Sequence, residues 1–349
     1  MVYANHLLLI FSLPRFSLFC LMCFAVVQLH AQDIHFSMFY ASPLTLNPAM
    51  TGTGDGDYRV AGIYRDQWRS VTAPFQTAAA SFDMPIPIKA LKKDRLGVGG
   101  QFVFDKAGRS AYQTLMGNVM VSYHKSLGAN ARHYLGVGVS VGYQQERFNP
   151  NGLIFPSMHL GDDFDPSSPS GEGNLNTTTG GMDMSTGVLY QSRPVDRLGI
   201  LAGVTVHHVL LPKRSFLGNN YRINPRWVGH LGVRVALGKG FSVVPGFLAQ
   251  FQNKAKEFNL GTAVEYSSKF GKTDWLLSVG GWYRIQDAAI ITAGFEVYSI
   301  RVMAAYDINH SMLRPATQGR GAFEVAVQFQ GLIPRKTNRY PVMVPCPMM

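Results

Sequence analysis

Cysteine is nearly absent from this chain. Of three in 349 residues, Cys20 and Cys23 lie within the first 31 positions, which leaves only Cys346. A disulfide scaffold is therefore excluded. So is a thiolate zinc centre, because the histidines stand in no ligand spacing and have no cysteine companions. Charge is sparse at 15% of residues, and the net +11 is not gathered into any lysine- or arginine-rich block. That removes the electrostatic footprint of a nucleic-acid binder. After residue 31 no apolar run reaches the ~18 residues that mark a spanning helix. Catalytic signals are missing as well. His124 and the pair His207–His208 have no acid or nucleophile neighbour at a useful spacing, and "GVGG" at 97–100 lacks the lysine and helix of a phosphate loop. No enzyme, cofactor or metal is expected.

What is present begins with a leader. Residues 1–31 carry Arg15, then the apolar run "FSLFCLMCFAVVQL", then Ala31 ahead of Gln32, the layout of a cleaved secretory signal. The run is short for a retained anchor, although Leu29 at the −3 position is not ideal for cleavage. Residues 32–56 follow as an extended segment, rich in aromatics and broken by Pro43 and Pro48. It fits neither an amphipathic helix nor a strand.

From residue 57 the dominant signal is alternation with period two. In "YLGVGVSVGYQ", Leu135, Val137, Val139, Val141 and Tyr143 share one face, and glycine, serine and glutamine take the other. "HLGVRVAL" and "AFEVAVQFQ" follow the same rule. The runs are longer than the ~5–6 residues of soluble strands and suit a tilted membrane crossing. Their apolar faces end in aromatics such as Tyr123, Tyr143, Tyr190, Tyr266, Trp275, Tyr283 and Tyr298, as where rings sit at a lipid–water boundary. Fourteen strands are predicted, starting near residues 57, 75, 95, 110, 132, 181, 197, 226, 240, 256, 274, 288, 299 and 321. The fold class is thus all-β, a transmembrane outer-membrane barrel of about fourteen antiparallel strands over 57–331. Its longest gaps, 148–180, 210–225 and 310–320, all follow odd strands and so fall on one side of the membrane, the extracellular side if both barrel ends are periplasmic. The first of them carries Asp162, Asp163 and Asp165 without the ligand order of a calcium loop.

Four segments, in order along the chain, resemble the PorP/SprF family of outer-membrane proteins tied to type IX secretion and gliding in Bacteroidetes-type bacteria. The first is "FSMFYASPLTLNPAMTG", with Phe36, Tyr40, Asn47 and Pro48. The second, "YRVAGIYRDQWRSVTAPFQTAAASFDMPI", holds Tyr58, Arg59, Arg65, Gln67, Trp68, Phe82 and Asp83. The third, "AAYDINHSMLRPATQGRGAFEVAVQF", holds Tyr306, Asp307, Gly321, Phe323 and Glu324, and the fourth is the terminal "VPCP" around Cys346. The resemblance implies a secretion accessory rather than a catalyst. It also implies as partners outer-membrane lipid, type IX components, a secreted surface protein such as a large adhesin, and a periplasmic protein linked to peptidoglycan. A passive porin with a basic lumen is the rival reading.

Further expectations concern single segments. Residues 32–56 either plug the lumen, with Phe36, Phe39, Tyr40 and Leu46 on its small-residue face, or dock on the periplasmic rim. Arg59, Arg65, Asp66 and Arg69 are expected to gather around Trp68 at the first hairpin, as a rim network or a partner surface. Arg234, Arg284 and Glu324 in the lumen either pair or steer anions, or are simply solvated in a polar interior, the reading favoured here. The basic tail 332–349 extends into the periplasm, where Cys346 is either an idle thiol or a point of intermolecular linkage.

Overall fold

The computed structural model describes residues 33–333, apart from 72, 89–92, 109, 129, 151–152, 161–162, 166, 169–170, 172–175, 271–272 and 313. The leader and nearly all of the tail lie outside the described residues.

Period-two alternation over long runs leaves these segments only one way to bury one face and bare the other, which is to pair edge to edge. They do so as fourteen strands: β1 (Tyr58–Gln67), β2 (Phe75–Ile86), β3 (Arg95–Ala107), β4 (Tyr112–Leu127), β5 (His133–Arg147), β6 (Thr178–Val195) and β7 (Leu198–His207), then β8 (Arg226–Gly238), β9 (Phe241–Gln252), β10 (Ala255–Phe270), β11 (Thr273–Arg284), β12 (Ala288–Val297), β13 (Ile300–Asn309) and β14 (Arg320–Gly331). Each pairs antiparallel with its neighbours in sequence, and β1 pairs with β14, closing the barrel and abolishing the sheet edge. Strand starts agree with those read from the sequence to within three residues. The β12–β13 connection is the pair Tyr298 and Ser299, both at positive φ (50° and 64°). That is the backbone twist of a tight hairpin, made here without glycine or asparagine.

The two faces of the wall invert the pattern of a soluble protein. Val119, Val139, Val279, Ile291 and Phe323 are exposed on the outside, while Ser140, Thr205, Thr292 and Glu324 are buried inside. A continuous bare apolar belt around a closed sheet matches the lipid-facing band of an outer-membrane barrel. No helix among the described residues is long and apolar enough to cross a membrane. The end of the barrel where β1 starts and β14 stops is called here the near mouth. The three longest connections, 148–177, 208–225 and 310–319, all lie at the opposite, far mouth.

The apolar core sits in the lumen. Phe36, Met38, Phe39, Leu46, Ala49 and Met50 pack there against wall residues that include Leu189, Leu201, Leu248, Trp282 and Ile290.

Candidate functional site

Prolines explain the shape of the segment that fills the lumen. Pro43 opens a single helical turn (Pro43–Leu46) and Pro48 opens a 3-10 turn (Pro48–Met50), each at a first position where no N–H is needed. Between them Asn47 is extended, and its side chain caps the second turn by accepting from Ala49 N at 2.8 Å. The result is a compact rod of short turns, too irregular for either periodicity and short enough to thread a barrel.

At the far mouth, where β7 ends and β8 begins, Asp33 is anchored. Its carboxylate lies 2.8 Å from His208 Nε2 and 3.4 Å from Arg226 Nε, and its backbone N–H donates to Gln252 Oε1 at 3.0 Å. His208 is itself set between two acids, with Nδ1 2.9 Å from Asp183 Oδ2. Burial alone would depress the His208 pKa, but the flanking Asp33 and Asp183 carboxylates hold it up at about 9. Burial would raise Asp33, yet Arg226 and His208 outweigh it and keep this carboxyl well below the usual range.

One turn further in, Ser37 joins four strands. Its N–H and that of Met38 donate to the two oxygens of Glu324 at 2.6 and 2.8 Å. Its hydroxyl donates to Asp307 Oδ2 at 2.7 Å and accepts from Arg65 Nη1 at 2.6 Å and from Arg284. Arg65 also pairs with Glu324 and, at 3.3 Å, with Asp307, which lies 3.2 Å from Arg284. Two guanidiniums and two carboxylates, all nearly without solvent contact, thus surround one serine. Charges buried this way are stable only when mutually compensated and hydrogen-bonded.

In mid-lumen Phe39 meets Trp282 edge-on at 5.6 Å, and Tyr40 lies 5.3 Å from the same indole. Towards β6 and β8, Asn47 Nδ2 donates to Val188 O at 3.1 Å and lies 3.2 Å from His230 Nε2. At the near mouth Arg59 grips Asp83 through two contacts of 2.9 and 3.0 Å and also donates to Met50 O at 3.0 Å. Asp83 accepts Gly52 N at 2.7 Å, and Ser122 donates to Thr51 O at 2.6 Å. Close approach is required here: a Cβ on Gly138 would stand 2.3 Å from Ala49 N.

Taken in turn, these contacts and those of Gly97 to Thr51, Gly203 to Asn47, Asn259 to Ser37 and Tyr40 to Thr292 bring residues 33–52 against all fourteen strands. A buried segment that touches every strand of a closed barrel occupies its lumen.

Several expectations change. Arg59, Arg65, Asp66 and Arg69 form no single group at the first hairpin. Inward-facing alternation sends Arg59 to Asp83 at the near mouth and Arg65 to Glu324, and only Arg69 stays beside Asp66. Arg284 and Glu324 are paired rather than solvated, as is Arg234, which lies 3.0 Å from Glu265. Of the other residues singled out, Tyr58 packs against Phe82 and Phe329. Trp68 takes positive φ at the β1–β2 turn and meets Phe75 edge-on at 5.1 Å. Gln67 accepts from Arg65 Nε at 3.4 Å. Tyr306 and Phe323 are exposed register partners on the lipid face. Gly321 is pressed so close to Asp307 that a Cβ would lie 2.6 Å from its carbonyl oxygen. Pro48 is buried in the lumen segment, and Cys346 lies outside the described residues.

Ser37, Arg284, Asn259, His208 and His230 were not singled out by motif. The string "GVSVG" at 138–142 lies within the straight β5, not at the strand-to-helix elbow that a nucleophilic serine needs. Among the described residues no group of three or more His, Cys, Asp or Glu side chains could hold a metal ion.

The family model described as type IX secretion system membrane protein PorP/SprF matches residues 28–329. The chain belongs to the PorP/SprF family. With its closed barrel and bare apolar belt, this PorP/SprF protein is an outer-membrane protein and a membrane component of type IX secretion. Among solved structures it is similar to the toluene transporter TbuX of Ralstonia pickettii, with 12% identity over 83% of this chain and 93% of that one and a TM-score of 0.49. A FadL homologue of Pseudomonas aeruginosa is similar at 12% identity over 81% and 92%, with a TM-score of 0.44. No curated protein matches the chain. Ten of the family-motif residues (Phe36, Tyr40, Asn47, Pro48, Arg59, Arg65, Asp83, Asp307, Gly321 and Glu324) belong to the lumen segment or to the wall that holds it.

Proposed function

We propose that this PorP/SprF protein works as a plugged barrel that supports the export or surface attachment of partner proteins, large adhesins among them, and does not serve as a diffusion pore. The reading rests chiefly on one observation: residues 33–52 occupy the lumen and touch all fourteen strands. A porin needs those inward side chains to face water. Here they are committed to holding the chain's own segment. In the orientation this function requires, the near mouth faces the periplasm, where peptidoglycan-linked and secretion components act. The loops 148–177, 208–225 and 310–319 then face outward and offer the surface for a secreted protein. Affinity purification of the tagged protein from solubilised outer membranes, followed by mass spectrometry, tests this. Recovery of a large surface protein or secretion components is expected. Recovery of the barrel alone, with steady open conductance in bilayers, would overturn it in favour of a porin.

A further inference from the structure

The plug leans to one side as it nears the β1 end of the barrel. Its last turns lie against β1 to β6, through Arg59, Asp83, Gly97, Ser122 and Gly138 among others. On the other side, between β6 and β10, a cavity of about 350 Å³ stays open to the near mouth. Its floor is made of small inward residues, among them Gly199, Ala236, Ser242 and Ser267, and Gly238 faces open space. Its rim is basic. Arg193, Arg197 and Arg234 line it, with Asp196 as their one acidic companion in the lining.

The cavity lining itself carries three guanidiniums and one carboxylate. Asp196 spends its backbone carbonyl on Arg193 at 3.2 Å, and its carboxylate stands 3.9 Å from a further guanidinium, Arg132. Behind Arg234, Glu265 is shared: it lies 3.0 Å from Arg234 and 3.5 Å from Arg301. Arg301 is buried, its Nε donates to Glu296 Oε2 at 2.7 Å, and its Nη2 has no hydrogen-bond acceptor among the described residues. Guanidiniums held in place by backbone carbonyls and shared carboxylates lose little freedom on taking a new partner, and their planar forks match carboxylates.

We propose that this near-mouth cavity binds a carboxylate-rich peptide segment of a partner protein. Gly199, Arg234, Ala236, Ser242 and Ser267 in the lining lie on the lumen side of the wall, away from the outer face where a lipid headgroup would sit. The cavity is open at the mouth and floored by glycine, alanine and serine, which lets a backbone lie close to the wall while acidic side chains meet the arginines.

The test uses the full-length barrel in detergent and a fluorescein-labelled hexaglutamate peptide, read by anisotropy. Saturable binding is expected, weakened by about 0.5 M salt. Arg193→Gln with Arg197→Gln should lower affinity about tenfold or more, and Arg197→Gln alone, at an exposed position, by a smaller factor. Arg314→Gln with Arg320→Gln, at the far mouth, should leave binding unchanged. Retained heat-modifiable migration shows that each variant is folded. Absence of saturable binding, or equal loss in the far-mouth variant, would overturn the proposal. Displacement of the peptide by millimolar inorganic phosphate would overturn it too, by assigning the cavity to small anions.

Discussion

Ser37 has a single hydroxyl, and it serves two arginines and an aspartate at once. Around it Arg65, Arg284, Asp307 and Glu324 compensate one another, and Arg65 and Glu324 are each other's nearest counter-charge, so removing either leaves a buried charge without it. Arg65→Gln or Glu324→Gln should each destabilise the barrel by about 3–5 kcal/mol. The double substitution Arg65→Met with Glu324→Leu should cost far less than the sum of the two single changes, because the orphaned charge goes as well. Thermal unfolding in detergent supplies the cycle. His208 gives a second prediction, of opposite character. Its pKa is raised from 6.5 to about 9, so its contribution is complete below pH ~6.5 and drains away as pH rises through about 9. Protease access to residues 33–40 should increase over that window, and His208→Gln should flatten the rise. Motif resemblance drew attention to Arg65, Asp307 and Glu324. It could not reveal their convergence on Ser37, and His208 looked inert because its acid, Asp33, stands 175 positions away in the chain.

At the level of elements, the strands were legible because burial on one face writes period two into the residues themselves. Val137, Val139 and Val141 face lipid for the same reason that Gly136, Gly138 and Ser140 face the plug. The segment 33–56 carries no such period, since short turns set by Pro43 and Pro48 present side chains in many directions. Plug and rim were therefore equally compatible with its residues. What decides is complementarity with small positions on the wall. Gly138→Val would put atoms where Ala49 N now lies, 2.3 Å from an added Cβ. The substitution adds only apolar bulk to β5 and leaves its lipid face untouched, so the barrel should still close. The plug should not seat: hydrogen exchange in residues 44–52 should accelerate severalfold while strand protection stays near that of the parent.

For the whole molecule, the plug fills a lumen that the wall alone would leave open. Deleting residues 33–50 should turn a nearly silent barrel into one with stable single-channel currents. Conductance equal to that of the full chain would mean that the segment does not occlude the lumen. The place of the main ion cluster has a consequence of another kind, for the order of assembly. Arg65 and Glu324 face each other across the β1–β14 pairing, 259 positions apart, where the first strand must find the last. That is the pairing with the greatest loop to close and the least help from proximity in the chain. Ser37 and Met38, about twenty residues ahead of β1, present two backbone N–H groups to Glu324 and Ser37 a hydroxyl to Asp307, so the incoming strands meet a template already attached to their destination. The segment that fills the finished barrel should therefore act first as its fastener, and a chain lacking it should close its seam more slowly even where the finished wall is sound.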